Sequence, residues 1–340
     1  MSSGRPAPRP LHVVLYGALV YDLIDLLESK LEVPVAITRL IGTEPAADCA
    51  AACAEADVIV AMSNLELPPA PRLRLLQVAG AGLDRIDLAL LRPDAYVCNA
   101  YGHDIAGAEY VVLAMLSWSH QFVEAHQSFQ AGSWRMSGRF TAPRHEELFG
   151  KTVAIIGLGP IGLAAARLTK AFGTIVIGLN RTLRERPPFV DELYPLDHLS
   201  LVLPRCDFVA VCVAQAPETT GLIGAVALRQ MKRDAVIVNV ARGPVIEEQA
   251  LYEALRDRTI GGAVIDAWYQ YPYEGDFQAR PSRFPFHELP NVLMTPHSAI
   301  WTNGMIERRW SVIAQNIEAA ATGRWGALQH VVRSGTYRPM

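Results

Sequence analysis

Three glycines in the stretch GLGPIG carry the first chemical signal of this chain. Gly157, Gly159 and Gly162 stand at G-x-G-x-x-G spacing, after the apolar run TVAII and before an Ala-rich helical pattern. In that setting the first glycine permits a tight turn, the second leaves room for a pyrophosphate against the backbone, and the third lets helix and strand close up. The helix start, with Pro160 in its first turn and N–H groups from Ile161 onward, adds donors and a positive dipole end. The spacing points to a dinucleotide. A turn that only needed small residues and a methyltransferase-type glycine loop are the other readings.

The next strand end discriminates between nucleotides. A carboxylate about 20 residues past the turn would bind the ribose diol of NAD. Here TIVIGL ends in Asn180, Arg181 and Thr182, with no acid. Arg181 pairing with a 2′-phosphate favours NADP over NAD. Arg181 facing solvent or stacking on adenine would leave NAD in use. Ala214, just past the run DFVAVCV, is counted with the cofactor contacts.

Three later strand ends bring useful side chains. AVIVNVARG delivers Arg242, GGAVIDA delivers Asp266, and NVLMTPHSA delivers His297. A guanidinium can clamp a carboxylate or a carbonyl with two hydrogen bonds. A histidine can give or take a proton near neutral pH. A hydride carrier, a guanidinium clamp and an acid/base histidine are what reduction of a 2-oxo acid requires. Taken singly, Arg242 could be a surface ion pair and His297 a hydrogen-bonded core histidine. Trp268, Tyr269, Tyr273 and Trp301 either shape a bulky pocket or pack a loop.

These residues need a scaffold that gathers strand ends. Short Val/Ile/Ala-rich runs alternate with helical patterns: LHVVLYG, VPVAITRL, DVIVAM, LRLLQVAG and AYVCNA before residue 101, then TVAIIG, TIVIGLN, DFVAVCV, AVIVNV, GGAVIDA and NVLMTP after residue 150. Near-continuous apolar runs suit parallel strands covered on both faces, and their alternation with helices predicts an α/β fold of βαβ units. Eleven strands split better into two sheets than one. One long helical segment, Ala106 to Gln130, separates the sets. After His297 the chain returns to helix with no new strand set expected.

Composition sets the outer limits. The 340 residues suffice for two domains, and 51% are hydrophobic against 19% charged. With a formal net charge of -3 and no long run of Lys or Arg, neither a nucleic-acid stripe nor a polybasic membrane patch is indicated. The N-terminal residues show no apolar signal core, and the most apolar helical candidate, Ile105 to Trp118, is too short for a bilayer and carries Glu109. Five cysteines without CxxC spacing read as reduced, buried residues rather than a metal site. The expectation is a cytoplasmic protein with no metal.

Across Val78 to Thr302 the chain resembles the D-isomer-specific 2-hydroxyacid dehydrogenases. The matching pieces are VAGAGLDRIDL, AGAEYVVLAML, ELFGKTVAIIGLGPIG, APETTGLIG, VNVARGPVIEEQALYEAL, GGAVID and NVLMTPHSA. The resemblance implies two doubly wound parallel-sheet domains. A Rossmann coenzyme domain, residues 101–301, is inserted into a discontinuous flavodoxin-like substrate domain of residues 1–100 and 302–340. It implies NAD(P)-dependent hydride transfer between nicotinamide and a small 2-oxo or 2-hydroxy acid, and a homodimer joined through residues 106–149. It places the substrate-clamping arginine on Arg242, the acid/base on His297 and an acidic residue near the nicotinamide on Asp266. The loop Ala79, Gly80, Ala81, Gly82 would bind substrate carboxylate through backbone N–H groups, and Trp301 is taken with the substrate contacts.

One departure from the family pattern is large. The glutamate that pairs with the histidine is missing from WYQYP, and Tyr271 stands at its position. Either Glu274 folds back to His297, or His297 works alone or with a neutral partner such as Gln270 or the Tyr271 hydroxyl. The second arrangement is the expectation. A nucleotide-sensing protein without turnover is the alternative function.

Overall fold

The computed structural model describes residues 9–335 except 22, 63–65, 84–85, 140–141, 143 and 273–276. The strands are β1 (Leu11–Tyr16), β2 (Val35–Leu40), β3 (Val58–Ala61), β4 (Leu75–Val78), β5 (Tyr96–Cys98), β6 (Thr152–Ile156), β7 (Ile175–Asn180), β8 (Glu192–Pro195), β9 (Phe208–Val211), β10 (Val236–Asn239), β11 (Gly262–Ile265), β12 (Val292–Met294) and β13 (Val331–Arg333). The helices are α1 (Ala18–Tyr21), α2 (Ile24–Lys30), α3 (Ala46–Glu55), α4 (Asp104–Ser119), α5 (Phe122–Gln130), α6 (Pro160–Ala171), α7 (Leu199–Val202), α8 (Ala225–Gln230), α9 (Glu248–Arg256) and α10 (Asn303–Ala321). They divide between two compact units, residues 1–102 with 303–340, and residues 103–302.

The first unit holds a sheet in the order β13-β5-β4-β3-β1-β2. The order 2-1-3-4-5 of its first five strands is the flavodoxin-like one. Strands β3 and β4 are buried at every position, which is why they are spelled as unbroken apolar runs. Alternate residues feed opposite faces. Val13, Leu15, Val58 and Val60 pack against α2 and α10, while Val14, Tyr16, Ile59 and Ala61 pack against α3.

The second unit holds a sheet in the order β12-β11-β10-β9-β6-β7-β8, with every pairing parallel. Counted from β6 this is the doubly wound order 3-2-1-4-5-6 with one further strand. Its faces carry separate cores. Ile156, Leu179, Val211 and Ile265 lie with Leu228 and Leu251 of α8 and α9, and Val153, Ile155, Val236 and Val264 lie with Met115 and Ala165 of α4 and α6.

Three features refine or add to the sequence reading. The segment from Ala106 to Gln130 is two helices, because Gln121 takes a left-handed backbone (φ 49°) between α4 and α5. No new strand set follows His297, but one three-residue strand does: β13 pairs antiparallel with β5 at the edge of an otherwise parallel first sheet. Strand β8, reading ELYP, is an added parallel edge. Both missed strands are short, β8 half-buried and β13 mostly exposed, and so lack the buried apolar run that marked most of the others.

Candidate active site

The glycine turn lies between β6 and α6 in the second unit. Gly157 has φ 93°, and a Cβ there would sit 2.6 Å from the Val213 backbone. A Cβ on Gly162 would sit 1.9 Å from the Gly157 carbonyl oxygen. Neither position tolerates a side chain. Gly159 is different: nothing lies within 4 Å of its would-be Cβ, so the backbone is open there. Pro160 starts α6, and Gly159 O accepts from Leu163 N–H at 2.9 Å. The N–H groups of Ile161 and Gly162 find no protein acceptor among the described residues, as expected of a first helical turn. Two closed glycines, one open glycine and free N–H groups suit a pyrophosphate. The Ile161 side chain turns the other way, onto Gly107 of α4.

The end of β7 closes this cradle. Asn180 Oδ1 accepts the Leu158 N–H at 3.3 Å, and its amide donates to Thr182 O at 2.9 Å. Arg181 is exposed and ion-paired with Glu218 of the loop after β9. In the same loop Ala214 offers its carbonyl to the Thr219 hydroxyl at 2.8 Å.

His297 sits just past β12 with φ 57°, a left-handed conformation that costs a non-glycine residue about 1–2 kcal/mol. Asp266, 3% exposed at the end of β11, holds that turn. Its carboxylate accepts the Thr295 hydroxyl at 2.6 Å, the Ser298 N–H at 2.8 Å and the Ala299 N–H at 3.0 Å. A carboxylate only accepts. Thr295 therefore donates to Asp266, and the Tyr110 hydroxyl of α4 must donate to Thr295.

The imidazole has a phenol for a neighbour. His297 Nδ1 lies 2.8 Å from Tyr271 Oη, with the rings edge to face at 5.2 Å. Tyr271 Oη also accepts the Trp268 N–H at 3.0 Å. Two lone pairs let one phenol oxygen take Trp268 N–H and an imidazole Nδ1–H together, which fixes Nε2 as the working nitrogen. Burial pulls the imidazole pKa below its ordinary value; Asp266 pulls it up, and Arg242 adds to the lowering.

Arg242 follows β10. Its Nη1 donates to Ala241 O at 2.8 Å, and its carbonyl accepts from Asn239 Nδ2 at 3.1 Å. Beside it, a Cβ on Gly243 would sit 2.3 Å from the Trp268 carbonyl oxygen. That glycine admits the backbone of the loop that carries Tyr271. Trp268 is 4% exposed, and with Tyr269 it packs on Phe286. These two aromatics are therefore packing residues. Trp301 is exposed, and Tyr273 and Glu274 lie outside the described residues.

The loop 79–82 belongs to the first unit. Arg309 Nη1 donates to Ala79 O at 3.2 Å, Ala100 N–H to Gly80 O at 3.0 Å, and Asn99 Nδ2 to Ala81 O at 2.9 Å. In a trans peptide C=O and N–H point opposite ways. Holding three successive carbonyls therefore turns the N–H groups of Gly80, Ala81 and Gly82 away from those donors. None of the three finds an acceptor among the described residues. Such a row of amides is an anion-binding concavity.

Motif reading missed Gly243, Asn99, Arg309 and the turn-holding part of Asp266. The glycine that ends VARG was a visible signal; the others act across the fold and left none. Among the described residues no group of His, Cys, Asp and Glu could hold a metal, and no helix is long and apolar enough to cross a membrane.

A family model for the D-isomer specific 2-hydroxyacid dehydrogenase, NAD binding domain, matches residues 112–299. The D-3-phosphoglycerate dehydrogenase of Methanocaldococcus jannaschii is 32% identical over 320 residues, covering 92% of this chain and 57% of that enzyme. The chain thus spans little more than half of that relative's length. The glyoxylate reductase of Korarchaeum cryptofilum is 32% identical over 260 residues, 75% of each chain. Among solved structures, an NADPH-dependent glyoxylate/hydroxypyruvate reductase from Sinorhizobium meliloti aligns with TM-score 0.78 and 25% identity, covering 97% of this chain and 100% of that one.

Proposed function

Because this chain belongs to the D-isomer-specific 2-hydroxyacid dehydrogenases, we propose that it is an NAD(P)-dependent oxidoreductase that transfers a hydride between nicotinamide and a small 2-oxo or 2-hydroxy acid, taken in the direction of reduction. The observation that carries the reading is the turn at His297, where Asp266 holds the backbone and Tyr271 holds the imidazole. A bound nicotinamide would supply hydride to the keto carbon. Protonated His297 gives the Nε2 proton to the keto oxygen and is left neutral, with Nδ1–H donating to Tyr271 Oη. Arg242 clamps the substrate carbonyl and carboxylate, and the N–H groups of Gly80, Ala81 and Gly82 take the carboxylate. Trp301 is kept among the substrate contacts.

Gly157, Gly159, Pro160, Ile161 and Gly162 hold the dinucleotide, with Asn180, Arg181, Thr182, Ala214 and Asp266 completing its contacts. We assign residues 1–100 and 302–340 to substrate binding and residues 101–301 to the coenzyme. A cytoplasmic homodimer joined through residues 106–149 belongs to the same reading.

The test is a screen of 2-oxo acids, glyoxylate and hydroxypyruvate among them, with NADPH and NADH at the nicotinamide absorbance. Turnover of at least one 2-oxo acid is expected; cofactor binding without any turnover would favour the nucleotide-sensing alternative. Arg181 sets the cofactor preference. NADPH should bind more tightly than NADH by about 1–3 kcal/mol, the size of a charge-assisted hydrogen bond, and Arg181→Ala should erase most of that gap. Equal affinities in the unmodified protein would refute the assignment, leaving Glu218 as the sole partner of Arg181.

A further inference from the structure

Helix α10 carries a guanidinium where a core residue is expected. Arg309 is 5% exposed, beside Trp310 and Ile313 of the first unit's core. Arginine is almost never fully buried unless paired. Here the acceptors are two backbone carbonyls, Ala79 O at 3.2 Å from Nη1 and Tyr101 O at 3.4 Å from Nε. Among the described residues no carboxylate lies within ion-pair distance, and Nη2 donates to no protein acceptor. Burial alone brings its pKa down to about 10, so the group is still charged at neutral pH. Among the described residues this positive charge is therefore dehydrated and has no carboxylate partner, at a cost that two neutral carbonyls only partly offset.

Its position says what the charge is for. One of its two bonds is to the carbonyl of Ala79, the first residue of the loop whose N–H groups face away from the protein donors. Asn99 holds the other end of the loop through Ala81 O and is itself buried. Were only geometry needed, a neutral amide could hold Ala79 O just as Asn99 holds Ala81 O.

We propose that Arg309 is the positioning and specificity residue of loop 79–82: it fixes the outward N–H row through the Ala79 carbonyl, and its unpaired charge makes that row select a carboxylate over a neutral group. The inference rests on the reading of this loop as the substrate-carboxylate subsite. The counter-ion that the described residues do not supply is then the substrate itself. A buried charge is screened little by salt, so the selection persists at high ionic strength.

The experiment compares a 2-oxo acid reduced by the unmodified enzyme with its 2-oxo amide, and measures oxalate binding by calorimetry. Arg309→Gln keeps a donor for Ala79 O and removes the charge. It should raise the acid's KM and the oxalate Kd by about tenfold or more, the order expected of one charge about 10 Å away, across the loop, at an effective dielectric of about 20. The amide's KM and the cofactor affinity should stay unchanged. Arg309→Lys restores a charge and should recover most of the acid preference, and that variant decides the matter if Arg309→Gln does not fold. Equal weakening of acid and amide, or a lysine variant without acid preference, overturns the proposal and leaves Arg309 a structural residue. If the unmodified enzyme reduces both equally and binds no oxalate, the carboxylate-subsite reading itself is what fails.

Discussion

Tyr271 changes what His297 can do. A carboxylate neighbour favours imidazolium and raises its pKa; a neutral phenol does so far less. Burial and Arg242 push the same way, toward neutral imidazole, against the opposing pull of Asp266. Reduction needs the protonated form, so its rate should fall as pH rises through a value below about 6.5, the ordinary histidine pKa. Oxidation of the hydroxy acid needs the neutral form and should rise over the same interval. The stability linkage has the matching sign: a histidine whose folded pKa is lowered contributes stability above about 6.5 and loses it as pH falls through the folded value. Tyr271→Phe leaves Trp268 N–H and Nδ1–H without their acceptor. It should shift the inflection lower still and cost about tenfold in kcat, the size of one hydrogen bond. A wild-type reduction profile flat beyond pH 8, collapsing toward neutrality in Glu274→Gln, would show a carboxylate partner instead. Arg242→Lys should be severe in kcat/KM with cofactor affinity kept, because an ammonium cannot reproduce the fork; near-normal turnover would make Arg242 a structural ion pair.

At the scale of elements, the turn after β12 is the part under tension. It holds a histidine at φ 57° through three bonds to one carboxylate from the neighbouring strand. Asp266→Asn keeps the shape but sets an NH2 group against a backbone N–H. It should destabilise by about 1–3 kcal/mol, the cost of a buried polar group left unsatisfied, and lower kcat as the turn relaxes. An unchanged melting temperature with full activity would show that the turn holds itself. Here lies the boundary of what the sequence shows. PHSA announced a histidine at a strand end, and the family resemblance placed Tyr271 at the position of the missing glutamate. That Asp266 spends its oxygens on the histidine turn was not legible, since the bond joins residues 266 and 299 across two strands. Buried central strands such as VIVA and VIVN announced themselves by composition; the edge strands ELYP and VVR are stabilised by their neighbours and carry no such mark. Cradle glycines were readable because steric necessity fixes their type, whereas Asn99 and Arg309 act on a loop distant in sequence.

The whole molecule is two folding problems threaded on one chain. Among the described residues, none of the four core clusters mixes residues of the two units. The first unit is nonetheless incomplete until the last segment of the chain arrives. Trp310, Ile313 and Ile317 of α10 fill its core, Asn316 donates to the buried Gln77 at 2.7 Å, and β13 completes the sheet beside β5. Trp310, 1% exposed, is the largest of these side chains. Trp310→Ala should cost the first unit about 3–5 kcal/mol, as for other large core truncations. The second unit loses no contact of its own cores and keeps its glycine cradle. Calorimetry should then resolve an early transition for the first unit and a later one close to that of the unmodified protein. NADPH affinity should persist between them while 2-oxo acid turnover is lost. A single transition that falls as one, taking NADPH binding with it, would mean that the two units fold as one cooperative body despite their separate cores.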